Sequence, residues 1–157
     1  MQFKQKLTPC LSYIDRAEEA ASFYVSLLPD GKVLQTVKTP LNDAVLSVEF
    51  ELAGTTFVAL NAGQNWKFSP AFSLVLACES QDEIDAMWDG LTADGGNEVA
   101  CGWLQDKFGT SWQIVPSRFR DWLDSGDAAA IQRMFESLWQ MKKLDIETLQ
   151  QAFDGNL

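Results

Sequence analysis

The chain has 157 residues, 46% of them apolar, with six tryptophans and a formal net charge of −10. That suits one domain or two small fused modules with a packed interior, and it excludes the basic face that nucleic acid or an anionic membrane requires. Histidine is absent, which removes Ser-His-Asp and Cys-His nucleophiles, histidine bases and the commonest ligand for zinc, iron or nickel.

In chain order, "KLTPCLSYI" reads as a first strand, and Asp15 is the expected N-cap of the helix "RAEEAASFYVSLLPDG". Ala17, Ala20, Ala21, Tyr24, Leu27 and Leu28 recur there at helical spacing, and Pro29-Asp30-Gly31 ends it. "KVLQTVKT" reads as a strand. "DAVLSVEFELAG" alternates, with Ala44, Leu46, Val48, Phe50 and Leu52 on one face and Ser47, Glu49 and Glu51 on the other. After a turn at Gly54, "TTFVALN" returns as the next strand.

The order then repeats. "SPAFSLVLACES" is a strand, Ser80 caps a helix with Ile84, Met87, Trp88 and Leu91 apolar, and Asp94-Gly95-Gly96 ends it. Shorter strands follow in "NEVACGWLQD" and "SWQIVP". Three matches run in order between the halves: Thr8-Pro9 with Ser69-Pro70, Phe23-Tyr24…Asp30-Gly31 with Met87-Trp88…Asp94-Gly95, and Gly54-Thr55-Thr56-Phe57 with Gly109-Thr110-Ser111-Trp112. They indicate two tandem βαβββ modules whose open sheets pair around a cleft. Past Pro116 the chain turns helical, with apolar stripes at Ile131, Met134, Phe135, Leu138 and Trp139 after Asp127, and at Ile146, Leu149 and Phe153 after Asp145. This tail either packs on its own domain or forms a dimer contact, and periodicity alone leaves both open.

Cys10, Cys78 and Cys101 are widely spaced without a Cys-x-x-Cys pair, as expected of reduced thiols packed as small apolar residues. The opening "MQFKQKL" lacks the apolar core of a signal peptide, and no run reaches the length of a membrane span, so a soluble cytoplasmic protein is expected.

The tandem repeat resembles the vicinal oxygen chelate, or glyoxalase/bleomycin-resistance/dioxygenase, superfamily. "TPCLSYIDRAEEAASFY", "FVALNAGQNWKFSPAFSLVLACES" and "CGWLQDKFGTSWQIVP" resemble its PhnB-like branch, often labelled 3-demethylubiquinone-9 3-methyltransferase. The expected class is α+β: residues 1–116 as a glyoxalase-like domain (modules 1–63 and 64–116) forming a curved mixed sheet around a cleft, and 117–157 as a helical extension. Metal-using members of the superfamily take four ligands, typically His and Glu, from the first and last strands of the modules. Carried over, the last-strand ligand of the second module, a Glu in an Asp-x-x-Gly-x-x-x-Glu context, falls on Gln113, with Asp106 and Gly109 at the matching spacing. The internal repeat makes Val58 its counterpart, and the first-strand positions fall near Thr8 or Pro9 and near Phe72 or Ser73. None is a carboxylate, imidazole or thiolate, so no metal and no other cofactor is expected.

Gln113 is then either a ligand-facing amide or a core glutamine bonded to backbone. Trp66, Phe68, Phe72, Trp103 and Trp112 are dense around the expected cleft. Phe72 and Trp112 read as core, while Trp66 and Trp103, near Gly63 and Gly102, read as rim. Glu49 and Glu51 form a carboxylate stripe, read as a solvated face or as acid/base groups. Cys101 has no basic neighbour to activate it, and Asp106 and Gly109 read as turn chemistry. No two glycines flank a single residue, so the loop of a Rossmann-like methyltransferase is missing. The expected function is a metal-free protein that sequesters or senses a small apolar or aromatic molecule as a homodimer, its cleft lined by Gln113, Trp103, Trp66 and Phe68. Two alternatives stand beside it: a metal-independent isomerase, lyase or other small-substrate enzyme using Glu49, Glu51 or Tyr13, and a dimeric interaction module without a ligand.

Overall fold

A computed structural model describes residues 5–157; Met1–Lys4 of the stretch read for a signal peptide lie outside the described residues. The elements are β1 (Cys10–Tyr13), α1 (Ala17–Leu27), β2 (Lys32–Lys38), β3 (Val45–Leu52), β4 (Thr55–Asn61), β5 (Ser73–Cys78), α2 (Gln81–Thr92), β6 (Asn97–Glu98), β7 (Trp103–Gln105), β8 (Ser111–Pro116), α3 (Phe119–Asp124), α4 (Ala128–Leu138) and α5 (Ile146–Asp154). Each βαβββ module makes its own four-stranded mixed sheet, ordered β1-β4-β3-β2 and β5-β8-β7-β6. In each sheet the first strand runs parallel to the last, and the other pairs are antiparallel. The expected class, α+β with tandem modules and a helical C-terminus, is the fold observed. The chain divides into two compact units, Met1–Lys67 and Phe68–Leu157, so the C-terminal helices share the unit of the second module.

Alternation decides which sheet face is covered. In the first unit Leu11, Tyr13, Val48, Phe50, Phe57 and Ala59 are buried, as are Ala17, Ala20, Ala21 and Tyr24 of α1. Phe50 stacks with Tyr24 at 5.9 Å and with Phe57 at 5.5 Å. Asp15 does not cap α1: Arg16 occupies the N-cap and its side chain makes no capping bond. The orphan N–H of Ala17 instead donates to Asn61 Oδ1 at 2.8 Å, so the cap comes from the end of β4. A helix start needs an acceptor but not a local one.

In the second unit Ile84, Met87, Trp88 and Leu91 of α2 are buried with Leu104, Trp112 and Ile114 of the sheet. Ser80 caps α2 as the sequence predicts, accepting from Glu83 N at 3.2 Å, while Glu83 reaches back to Glu79 N at 2.7 Å. Register sharpens the repeat. Cys10 pairs with Val58 and Val75 with Gln113, so Thr8 corresponds to Ser73. The Thr8-Pro9/Ser69-Pro70 match is therefore out of register, because Ser69 belongs to a turn ahead of β5, accepting from Phe72 N at 3.0 Å. The close backbone approach after each helix falls on Gly31, whose Cβ would lie 2.4 Å from Val25 O, and on Gly96, at 2.5 Å from Leu91 O. Gly95, the sequence match to Gly31, is one residue short of it.

The C-terminal helices settle onto their own module. Trp122, Met134, Leu138, Leu144 and Leu149 form a buried cluster against which Cys101 and Val115 pack. Cys101 N donates to Met141 O at 2.8 Å and Gly102 N to Lys142 O at 2.7 Å. The Gln81 amide joins Leu144 O at 3.1 Å and Ile146 N at 2.9 Å. Asp127 and Asp145 cap α4 and α5 as their positions predict. Among the described residues no helix is long and apolar enough to cross a membrane.

Candidate functional site

Each sheet turns one face to its helix, and the other carries the positions of interest. In the second unit Gln113 lies in register between Val75 on β5 and Trp103 on β7, which puts all three on the face opposite α2. The half-buried Gln113 donates from Nε2 to Ser73 Oγ at 2.9 Å. Its partner is a side-chain hydroxyl, not backbone across the sheet. Ser73, rather than Phe72, is thus the first-strand residue that faces it. Phe72 sits ahead of the strand and is 53% exposed, which corrects its reading as core.

Gln113 and Trp103 are therefore brought together. Phe68 lies beside the loop before β8, its ring 3.9 Å from where a Cβ on Gly109 would sit. Trp66 belongs to the first unit and is 65% exposed. Val115, two residues beyond Gln113 on the same face, packs on the C-terminal cluster, so those helices border this face at one end.

The loop itself is turn chemistry. Asp106, 2% exposed, accepts from Phe108 N at 2.9 Å and Thr110 N at 3.1 Å through Oδ1, and from Trp112 Nε1 at 2.9 Å through Oδ2. Gly109 takes φ +91, which a side chain would strain. Trp112 points to the helix side and is core, as expected.

In the first unit the corresponding row is Cys10, Val58, Glu49 and Gln35. Cys10 is exposed, against the expectation of a packed thiol, because β1 is an edge strand and the side chain faces away from α1. With Lys6, Leu7, Thr8 and Val58 it lines a recess of ≈350 Å³. Glu49 is 5% exposed, so the solvated-face reading fails for it. Glu51 pairs with Lys32 at 2.7 Å. Tyr13 faces the helix side with its hydroxyl 3.4 Å from that of Tyr24, away from the row holding Glu49. Of the three acid/base candidates only Glu49 is both buried and on the face opposite α1. Its neighbour Gln35 was not singled out from the sequence, since β2 pairs with β3 through irregularities at Val33/Gln35 and Val37/Lys38 that alternation cannot reveal.

The four inherited metal positions become Thr8, Val58, Ser73 and Gln113. They offer two hydroxyls, a hydrocarbon and an amide whose N–H is committed to Ser73. A divalent cation needs several charged or strongly donating ligands, so this set does not fit one. Among the described residues no group of three His, Cys, Asp or Glu is placed to hold a metal. A larger recess of ≈590 Å³ opens where α2 and α5 begin, its lining including Glu79, Arg118, Asp145 and Glu147.

Residues 5–115 match the family model described as 3-demethylubiquinone-9 3-methyltransferase; α3 to α5 lie beyond it. Among solved structures the chain is similar to the PhnB protein from Bacillus cereus, which carries the same methyltransferase description. That match has 32% identity and a TM-score of 0.66, covering 71% of this chain and 99% of that one. Protein PA1353 from Pseudomonas aeruginosa shares the fold at 17% identity and TM-score 0.59, over 72% of this chain and 98% of that one. So does a mutant of the fosfomycin resistance protein FosX from Listeria monocytogenes, solved with Mn(II) and a dihydroxypropylphosphonic acid, at 10% identity and TM-score 0.58, over 78% of this chain and 100% of that one. No curated protein matches the chain significantly. With the modules, the register and the matched span in agreement, the chain belongs to the 3-demethylubiquinone-9 3-methyltransferase, or PhnB-like, family and has the glyoxalase/bleomycin-resistance fold.

Proposed function

We propose that the protein binds a small apolar or aromatic molecule without a metal, to sequester or sense it, with Gln113, Trp103, Phe68 and Trp66 among the contacting residues. The observation that carries this reading is the row of Val75, Gln113 and Trp103. Val75 is 62% exposed on a sheet face, and covering it is favourable. The Gln113 oxygen has no partner among the described residues, and no fully occluded polar side-chain atom among them goes unpaired. That oxygen is therefore reachable: one acceptor among apolar and aromatic walls, the usual make-up of a small-molecule site.

The family description does not carry over as an activity. Each sheet holds one parallel pair, not the doubly wound sheet with a glycine-rich loop that suits a methyl-donor cofactor. Micromolar binding of S-adenosylmethionine would overturn this part of the reading.

The test is a titration with 2-naphthylmethanol, a neutral aromatic probe, followed by tryptophan fluorescence and calorimetry. Wild type is expected to bind, with Gln113→Ala and Trp103→Ala each weakening the affinity about tenfold, the scale of one hydrogen bond or aromatic contact. Unchanged affinity in both variants places the site elsewhere, and no binding by wild type counts against the reading as a whole.

A further inference from the structure

Glu49 lies in the middle of β3, in register with Val58 on one side and Gln35 on the other. It is 5% exposed, yet no hydrogen bond or ion pair reaches its carboxylate among the described residues. Since no fully occluded polar side-chain atom there goes unpaired, its oxygens keep a narrow opening to the outside. The carboxylate caps no helix and closes no turn. The nearby cation on its face, Lys32, is held by Glu51 at 2.7 Å.

An unpaired buried carboxylate is costly, and the cost falls when an opposite charge arrives with good geometry. The formal charge of −10 also raises the local concentration of cations. Val58 beside it lines the ≈350 Å³ recess with Lys6, Leu7, Thr8 and Cys10, and Lys6 makes no ion pair with Glu49.

Beyond the row of the second unit, we propose that Glu49 in the first unit is the anchor for a ligand that joins an apolar body to a protonated amine or similar cation. Val58 and the recess beside it take the apolar part. Glu49 binds here as a counter-ion, and no bond-making step is assigned to it.

The test compares 2-naphthylmethylamine, a cation at neutral pH, with 2-naphthylmethanol by calorimetry at low salt. Wild type is expected to prefer the amine by about tenfold or more. Glu49→Gln should abolish that preference while the alcohol affinity stays within about twofold, with a Tm at or above that of wild type. Glu49→Asp, which keeps the charge, should retain a preference for the amine. Equal binding of both probes by wild type overturns the proposal and spares the small-molecule reading. A Glu49→Gln protein that keeps the preference, or whose Tm falls sharply, also overturns it, the latter by showing a structural carboxylate. Failure of wild type to bind either probe removes both readings.

Discussion

Replacing Asp106 with alanine tests whether the Asp-x-x-Gly sequence before Gln113 is architecture. Three N–H groups converge on this carboxylate, from Phe108, Thr110 and the Trp112 indole. Thr110 is 1% exposed and Trp112 is 4% exposed, so neither donor finds water once the acceptor is gone. Each stranded buried donor costs about 1–3 kcal/mol. Half-exposed Phe108 N recovers water and adds little, so Asp106→Ala should cost about 2–6 kcal/mol, centred near 4. Asp106→Asn keeps one carbonyl oxygen for the backbone donors but sets an amide N–H against the indole, and should cost about 1–3 kcal/mol. The assay is urea unfolding followed by circular dichroism, with Trp112→Phe completing a double-mutant cycle. Since phenylalanine has no N–H to strand, a coupling of about 1–2 kcal/mol is expected. A cost below about 1 kcal/mol for Asp106→Ala, or no coupling to Trp112, refutes this account of the loop.

Two further predictions rest on single features. Gly102 has φ +81, and a Cβ there would lie 2.8 Å from Ile114 O and 3.1 Å from Leu144. Gly102→Ala should lose about 2–4 kcal/mol in urea unfolding, and a loss under about 1 kcal/mol would mean that this junction yields easily. Burial, with Glu83 and Glu79 adding, pushes the Cys78 thiol up from 9.0 to about 12. Below pH 9 both folded and unfolded thiols are protonated, but between 9 and 12 only the unfolded one ionises, so stability falls as pH rises through that window. The slope contributed is up to about 1.4 kcal/mol per pH unit. Cys78→Ala should flatten it in unfolding midpoints measured across the window, and an identical pH dependence would contradict the assignment.

Much of the fold was legible because its signals are local. The alternation of Val48 to Leu52 and the caps at Ser80, Asp127 and Asp145 are each decided within a few residues. Where a decisive partner lies far along the chain, local reading fails. Asp15 is an ordinary N-cap residue by type, but the acceptor for Ala17 N comes from Asn61, 44 positions on. The packing of the C-terminal helices on Cys101, Gly102 and Val115 is equally non-local, so periodicity showed their apolar stripes without showing what covers them. Gln113 could be placed because the turn fixed by Asp106 and Gly109 sets the register of β8, and a one-residue slip would have moved it to the helix side. No such marker fixes the irregular β2–β3 pairing that surrounds Glu49.

Strand by strand, the two rows differ in where they carry their polar groups. On the last strand of each module the first unit has Val58 and the second has Gln113. On the strand beside it the first unit has Glu49 and the second has Trp103. Polar and apolar characters are thus exchanged between equivalent positions. Of the two last-strand positions, Val58 is a hydrocarbon and offers a cation no donor. The buried acid of the first row, Glu49, sits one strand further in, with Val58 and Gln35 as its register partners. An isolated carboxylate does not make a coordination sphere, and neither does an isolated amide. Each row, taken by itself, offers one polar point with aliphatic or aromatic surface beside it, the make-up that suits an organic ligand better than an ion.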